Sequence, residues 1–382
     1  MFTRPFAMLT LANFALSIGG SFAIHLPGLL HELGAREAEL GRILAVHALT
    51  AALLGPLVGR VMDRRGRRPV IRAGGALALL VALGYTQLDR LGPALYALRV
   101  LDGMASTMLY ASLFAYAAEL VPVAQRTRGI ALFGASGLAP MAVSSQLGDM
   151  ILARSSYPVM FTVAAGFCAV GTALCWVLPE SRLRGEHDAA PHGLLRVARQ
   201  RELLPIWFAA LAFFSCMAGV LSFLKAFVVS TGYGSVGAFF STYVLVALSL
   251  RVFLGGLPDR IGLRRMVLPA IGCYAIGILG IAHASGTPSL LLAGALCGVG
   301  HGYGFPVLLS LVHARAQPES RGTATGIYTA IDWAGHLLAP PLLGLLIEHA
   351  GYGTGFAVLS ALGAFGTLAF YTFDRRSSGG SS

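Results

Sequence analysis

The chain has 382 residues, of which 56% are hydrophobic and 12% charged, with a formal net charge of +11 and a mean hydropathy of +0.72. A soluble domain carries about 25% charged residues, so the polar surface needed to cover a water-soluble globule is missing and lipid is the natural solvent. The excess arginine does not indicate nucleic acid, because it collects in short loops between apolar runs and not on one amphipathic face.

At about 20 apolar residues per crossing, hydropathy and loop signals give about twelve spans. In the first half they are 6–30, 41–62, 69–88, 93–118, 129–153 and 157–178. In the second half they are 204–229, 236–257, 266–285, 288–314, 324–347 and 352–373. The first run follows Arg4 and has no A-x-A cleavage signal, so it reads as a retained span. Asn13, His25 and His47 are candidates to line a cavity in the first half, with packed polar residues as the plainer reading. The first loop holds Glu32, Glu37 and Glu39 beside Arg36 and Arg42.

The second loop is the most informative. It runs from Gly59 through Asp63, Arg64, Gly66, Arg67 and Arg68, in the pattern G-x-x-x-D-R-x-G-x-R. The same pattern returns at Gly255, Asp259, Arg260, Gly262 and Arg264, with Asp63 and Asp259 standing 196 positions apart. Gly41 and Gly237 open their spans at the same offset. A glycine permits close helix approach or a tight turn, and an aspartate beside a helix N-terminus sits where negative charge is favoured. The loop arginines can reach a carboxylate, and Glu119 at the predicted cytoplasmic end of span four is the best local partner. Topology alone, with basic residues setting orientation, is the simpler alternative; two copies in register favour a built device.

Span four carries Arg99 and Asp102 on one helix face. A charge at bilayer depth costs a few kcal/mol and normally faces inward and pairs. Arg99 is therefore expected either to bias a proton-carrying carboxylate, Asp102 or Asp332, or to form a static ion pair. Span five contains Gly134-Ala135-Ser136-Gly137, a weak echo of intramembrane serine proteases that close helix packing explains equally well. The polar stretch 179–203 reads as a linker, with an interfacial helix near 192–201. In the second half, Lys225, the chain's only lysine, and Arg251 sit near span ends and are expected to snorkel. His301 lies in a glycine-rich run, and Asp332 and His336 share a face one turn apart. Trp176 and Trp207 fit interfacial anchors. The five cysteines lie in apolar runs and are read as buried thiols. The tail Ser377–Ser382 is low-complexity.

These motifs resemble the major facilitator superfamily over about 1–374. The strings at 59–68 and 255–265 are similar to the family's paired loop signatures, and Arg99-Val100-Leu101-Asp102-Gly103 to its span-four motif. Gly300-His301-Gly302-Tyr303-Gly304-Phe305-Pro306 and Pro340-Pro341-Leu342-Leu343-Gly344 resemble the bacterial sugar- and drug-efflux branches. One departure is in span five, where Gly137-Leu138-Ala139-Pro140 replaces the adjacent glycine-proline of drug antiporters.

The resemblance implies an all-α integral membrane protein with two pseudo-symmetric six-helix bundles. The expected divisions are 1–180, a linker 181–203, a second bundle 204–374 and a disordered tail 375–382. It implies a non-enzymatic transporter, and proton-coupled efflux of a small molecule is the leading reading. Proton-coupled uptake or facilitated diffusion is the alternative. The gating cluster would be Gly59, Asp63, Arg64, Gly66, Arg67, Glu119, Gly255, Asp259, Arg260 and Gly262. Coupling or substrate candidates are Arg99, Asp102, Asp332, His301, His336, Asn13 and Lys225. The expected partners are substrate, protons and the bilayer, with no cofactor or metal, in a monomer. Basic loops place both termini in the cytoplasm of an inner-membrane protein. No nucleotide loop of the G-x-x-x-x-G-K-[ST] kind exists, which argues against primary pumping.

Overall fold

The computed structural model describes residues 3–122, 125–179 and 193–378, with the backbone alone at 126–128, 131 and 375–378. The helices are α1 (Arg4–Ser21), α2 (Leu26–Glu32), α3 (Glu37–Arg65), α4 (Arg67–Tyr85), α5 (Pro93–Leu120), α6 (Arg126–Leu152) and α7 (Tyr157–Val177). They continue with α8 (Leu194–Ala198), α9 (Leu204–Thr231), α10 (Val236–Phe253), α11 (Leu257–Ile261), α12 (Leu263–Ala282), α13 (Thr287–Arg315) and α14 (Arg321–Ser378). A 3-10 turn, Phe22–His25, joins α1 to α2, because Pro27 has no N–H to continue the α-helical ladder.

Nine helical segments among the described residues are long and apolar enough to cross a membrane. The last, Pro318–Asp374, holds two passes that meet at Gly351, whose φ of 79° breaks α14. Helices α5 and α6 are less apolar but have 28 and 27 residues, about 40 Å at 1.5 Å per residue, more than a hydrocarbon core of about 30 Å. Together these account for the expected twelve crossings. One span differs. The stretch expected over 236–257 stops at Phe253, because Gly255, Gly256 and Pro258 end it and leave α11 as a separate turn. The linker reading at 181–192 and the tail at 379–382 lie outside the described residues. The backbone of 375–378 continues α14.

Two compact units form. Unit 1 is Met1–Ala35 with Val46–His187, and unit 2 is Arg36–Ala45 with Asp188–Ser382. In unit 1, α1 packs on α6 and α7, and α4 packs on α5 and α7. In unit 2, α9 packs on α14, and α12 packs on α13 and α14. The first turns of α3 belong to unit 2, where Glu348 holds them: its carboxylate pairs with Arg36 (3.2 Å) and accepts the Ala38 N–H (3.1 Å). That supplies one of the donors every helix start leaves open. The Tyr352 hydroxyl donates to Glu37 (3.0 Å) in the same place.

The repeat seen in sequence has a backbone counterpart. Gly66 and Gly262, 196 positions apart, have φ of 86° and 96°, a region that side-chain-bearing residues seldom enter. Close helix contacts repeat as well. A Cβ on Gly103 of α5 would collide with the His47 carbonyl of α3, and one on Gly298 of α13 would collide with the Tyr243 carbonyl of α10. His47 and Tyr243 are again 196 apart. Substituting Ala for Gly103 or Gly298 should therefore cost about 1–3 kcal/mol by overpacking. Thermal unfolding in detergent would read this as a lowered midpoint, whereas Gly134→Ala, with nothing within 4 Å of the added carbon, should show no loss.

Candidate functional site

The glycine contact at Gly103 sets the neighbouring Asp102 against α3. The Asp102 carboxylate lies 3.2 Å from His47 Nδ1 and 2.5 Å from Arg99 Nη1. Arg99 is 5% exposed and also donates to the Tyr85 hydroxyl at 3.2 Å. Helices α3, α4 and α5 thus share one network of base, acid, guanidinium and phenol, with Arg99 and Tyr85 buried and His47 and Asp102 partly buried. A guanidinium inside an apolar helix requires such a partner, and a carboxylate between a cation and an imidazole can exchange a proton with the imidazole while remaining solvated by the cation. Elsewhere in unit 1, Asn13 of α1 donates to the Ser136 hydroxyl of α6 (2.9 Å), and that hydroxyl donates to the Phe133 carbonyl. Ser136 is therefore engaged by an amide and a carbonyl, neither of which is a general base. His25 is fully buried, bonded to the Ser145 carbonyl (3.2 Å) and 3.7 Å from Asp149.

Unit 2 has its own polar centre. The Gly298 contact brings Tyr243 of α10 onto His301 of α13, where its hydroxyl meets His301 Nδ1. The two rings stand edge to face at 5.3 Å. Arg251 does not snorkel. Its Nε donates to the Gly302 carbonyl and its Nη2 to the His301 carbonyl, each at 3.3 Å. The cause lies in the sequence. Gly302 would normally accept the N–H of residue 306, and Pro306 has none. Arg251 supplies the donor that proline withholds, as freed backbone in a membrane helix requires. In α14, His336 Nδ1 lies 3.2 Å from Asp332, and both side chains are about a quarter exposed. Pro340 follows His336 by four residues and removes the donor for its carbonyl. Lys225, expected to snorkel, is buried within α9 at 7% exposure. Trp207, expected as an interfacial anchor, is buried too, with Nε1 on the Ala198 carbonyl (3.2 Å), while Trp176 is 57% exposed.

At the basic-loop end, Arg67 bridges two acids: Nε meets Glu119 at 3.1 Å and Nη1 meets Asp63 at 3.2 Å. Gly59 and Arg64 flank this pair without a described polar contact. The second copy is built differently. Asp259 and Arg260 are exposed, and the carboxylate that gathers the arginines is Asp374, at the end of α14. It is 2% exposed and pairs with Arg264 and with Arg315 (2.5 Å). Gly255 sits against the Arg251 carbonyl.

The sequence reading missed Tyr85, Tyr243, Arg251 as a helix-mending residue, and Asp374. Signals existed for two of them. Tyr243 stands opposite His47 in the repeat, and Arg251 precedes a glycine-proline helix that needs a donor. Nothing in the string Phe373-Asp374-Arg375 marks Asp374.

A double substitution tests the role of Arg251. Removing a buried charged hydrogen bond costs about 1–3 kcal/mol, so Arg251→Ala should lower thermal stability by that amount. In a Pro306→Ala background, where residue 306 regains its N–H, the loss should fall to less than half. An equal loss in both backgrounds would contradict it.

The sequence model described as Major Facilitator Superfamily matches residues 7–328 and 231–382. The chain is 27% identical over 364 residues to the gentisate transporter of Corynebacterium glutamicum, covering 87% of this chain and 80% of that one. It is 21% identical over 338 residues to the staphylopine export protein of Staphylococcus aureus, covering 84% of each. Among solved structures, a mutant of the nucleoside transporter NupG superposes with a TM-score of 0.83 at 14% identity, covering 97% of this chain and 100% of that one. A bacterial homolog of the lysosomal transporter Spinster, inward-facing and unoccupied, gives 0.78 at 13% identity, covering 98% of each. Two units with matching helix pairings, the repeated loop and these similarities agree: the chain belongs to the major facilitator superfamily.

Proposed function

We propose that the chain is a secondary transporter that moves a small molecule across the inner membrane by alternating access, exchanging it outward for protons. One observation carries the proton reading: the Arg99–Asp102–His47 network between α3 and α5. An ionisable cluster between membrane-crossing helices, held there at a cost of a few kcal/mol, is a functional site by default. Asp102 is the proton carrier in unit 1, with His47 its exchange partner and Arg99 its counter-charge. Asp332 with His336 is the second titrating pair. Asn13, His301 and Lys225 contact or orient substrate.

The halves 1–180 and 204–374 are the moving parts, joined by the linker 181–203, with the tail 375–382 outside them. Family transporters place substrate near the midplane at such a repeat interface. Relatives named as a gentisate transporter and a staphylopine export protein support a small-molecule cargo, and the second supports the outward direction. Arg64, Arg67, Asp63 and Glu119, with Asp259 and Arg260 in the second copy, are the conformational latch. The basic loops and both termini face the cytoplasm, and one chain is sufficient.

Two substitutions test this in proteoliposomes loaded with a panel of labelled solutes under an imposed pH gradient. Asp102→Asn should abolish gradient-driven accumulation, a loss of at least tenfold, while solute exchange without a gradient persists. Unchanged accumulation would remove Asp102 as the carrier, and gradient-independent equilibration of the unaltered chain would make it a facilitator. Asp63→Asn should slow flux severalfold with membrane insertion preserved, and normal flux in that variant would remove the latch.

A further inference from the structure

The basic end of unit 1 holds two arginines that the transport reading does not use. Arg68 and Arg72 lie one turn apart on α4 and so share a face. Both send Nη2 to one acceptor, the Trp176 carbonyl, at 3.3 and 2.7 Å. The Arg72 guanidinium also sits 4.5 Å from the Trp176 ring centre. The Trp176 carbonyl is one of the last of α7, which lack intrahelical donors, so it is a natural acceptor. It is nevertheless a single neutral oxygen facing two full charges. Both Nε atoms are buried without a hydrogen-bond partner, and no acidic side chain among the described residues pairs with either arginine. Like charges at this spacing repel, and the start of α4 is the wrong end of a helix dipole for cations.

The neighbours make the imbalance specific. Arg67, one residue earlier, has both Asp63 and Glu119. Arg264, which stands 196 positions after Arg68, has Asp374. The position 196 before Asp374 is 178, and it holds Leu178, which is buried and apolar. Among the described residues, unit 1 therefore repeats the cation of unit 2 without its anion.

The surroundings indicate where an anion would come from. Helix α7 exposes Val170, Trp176 and Val177 at 56%, 57% and 68%, and α4, packed beside it, exposes Leu80 and Leu83 at 61% and 45%. These are exposed apolar faces of helices long and apolar enough to cross a membrane, the kind of surface that acyl chains cover. A tryptophan and two arginines at the end of such faces sit where lipid headgroups lie. We propose that Arg68, Arg72 and Trp176 bind the phosphate of an acidic membrane phospholipid, whose acyl chains follow the exposed faces of α4 and α7. Guanidinium groups suit phosphate because they present paired donors in a fixed fork.

Native mass spectrometry of the full chain, delipidated and then incubated with phosphatidylglycerol or phosphatidylcholine, tests this directly. The unaltered chain should retain at least one more phosphatidylglycerol than phosphatidylcholine. The double variant Arg68→Gln/Arg72→Gln should lose that adduct at least tenfold, and Arg68→Lys/Arg72→Lys should keep part of it. Arg196→Gln/Arg199→Gln, with the same loss of charge elsewhere, should retain it. Equal retention by the Gln variant, with a thermal midpoint matching the unaltered chain, overturns the site. Displacement of the lipid by millimolar inorganic phosphate overturns the lipid assignment and leaves a free-anion site.

Discussion

Inside a bilayer no water is available to solvate a charge or an open backbone group, so each must be matched by another part of the chain. That constraint organises this protein more than any packing preference does. Arg99 is tolerated in α5 because Asp102 and Tyr85 surround it, and Asp102 because Arg99 and His47 do. The match depends on helix approach. Gly103 lets α5 close on the His47 carbonyl, which carries Asp102 within reach of the His47 ring. Unit 2 uses the same device with other chemistry, as Gly298 closes on Tyr243 and presents His301 to its hydroxyl.

Prolines form the second half of the same logic. Each one inside a helix removes a donor four residues before it. Pro140 frees the carbonyl of Ser136, Pro306 that of Gly302, and Pro340 that of His336. Asn13, His301 and Asp332 each lie against or within one turn of such a freed group. Carbonyls freed by these three prolines and candidate polar side chains therefore fall close together, and at Gly302 the Arg251 guanidinium restores the missing donor.

Much of this was legible in the residues. Helix count and most boundaries follow from hydropathy, since lipid imposes a length and excludes charge. The doubled loop motif located Gly66 and Gly262 because a positive φ restricts residue choice so severely. Arg67 reaching Glu119 followed from charge and position. What escaped were contacts that depend on which face a helix turns to its neighbour. Lys225 and Arg251 lie near span ends, where composition suggests snorkelling, yet packing carries Lys225 inward and Pro306 gives Arg251 a carbonyl to hold. Asp374 follows a hydrophobic helix in a short basic string, so only the fold reveals that it gathers Arg264 and Arg315. The split of α3, with Arg36–Ala45 grouped with unit 2, leaves no trace in hydropathy because Glu348 and Tyr352 are distant in sequence.

The proposed transport cycle requires the two halves to tilt in alternation. Pulsed electron–electron resonance on the reconstituted chain tests it most directly, with native cysteines replaced and spin labels paired at 65 with 261 and at 87 with 285. The account predicts two distance populations for each pair, exchanging weight in opposite directions when pH is changed or a transported solute is added. A single distance at both pairs, indifferent to pH and solute, would contradict it.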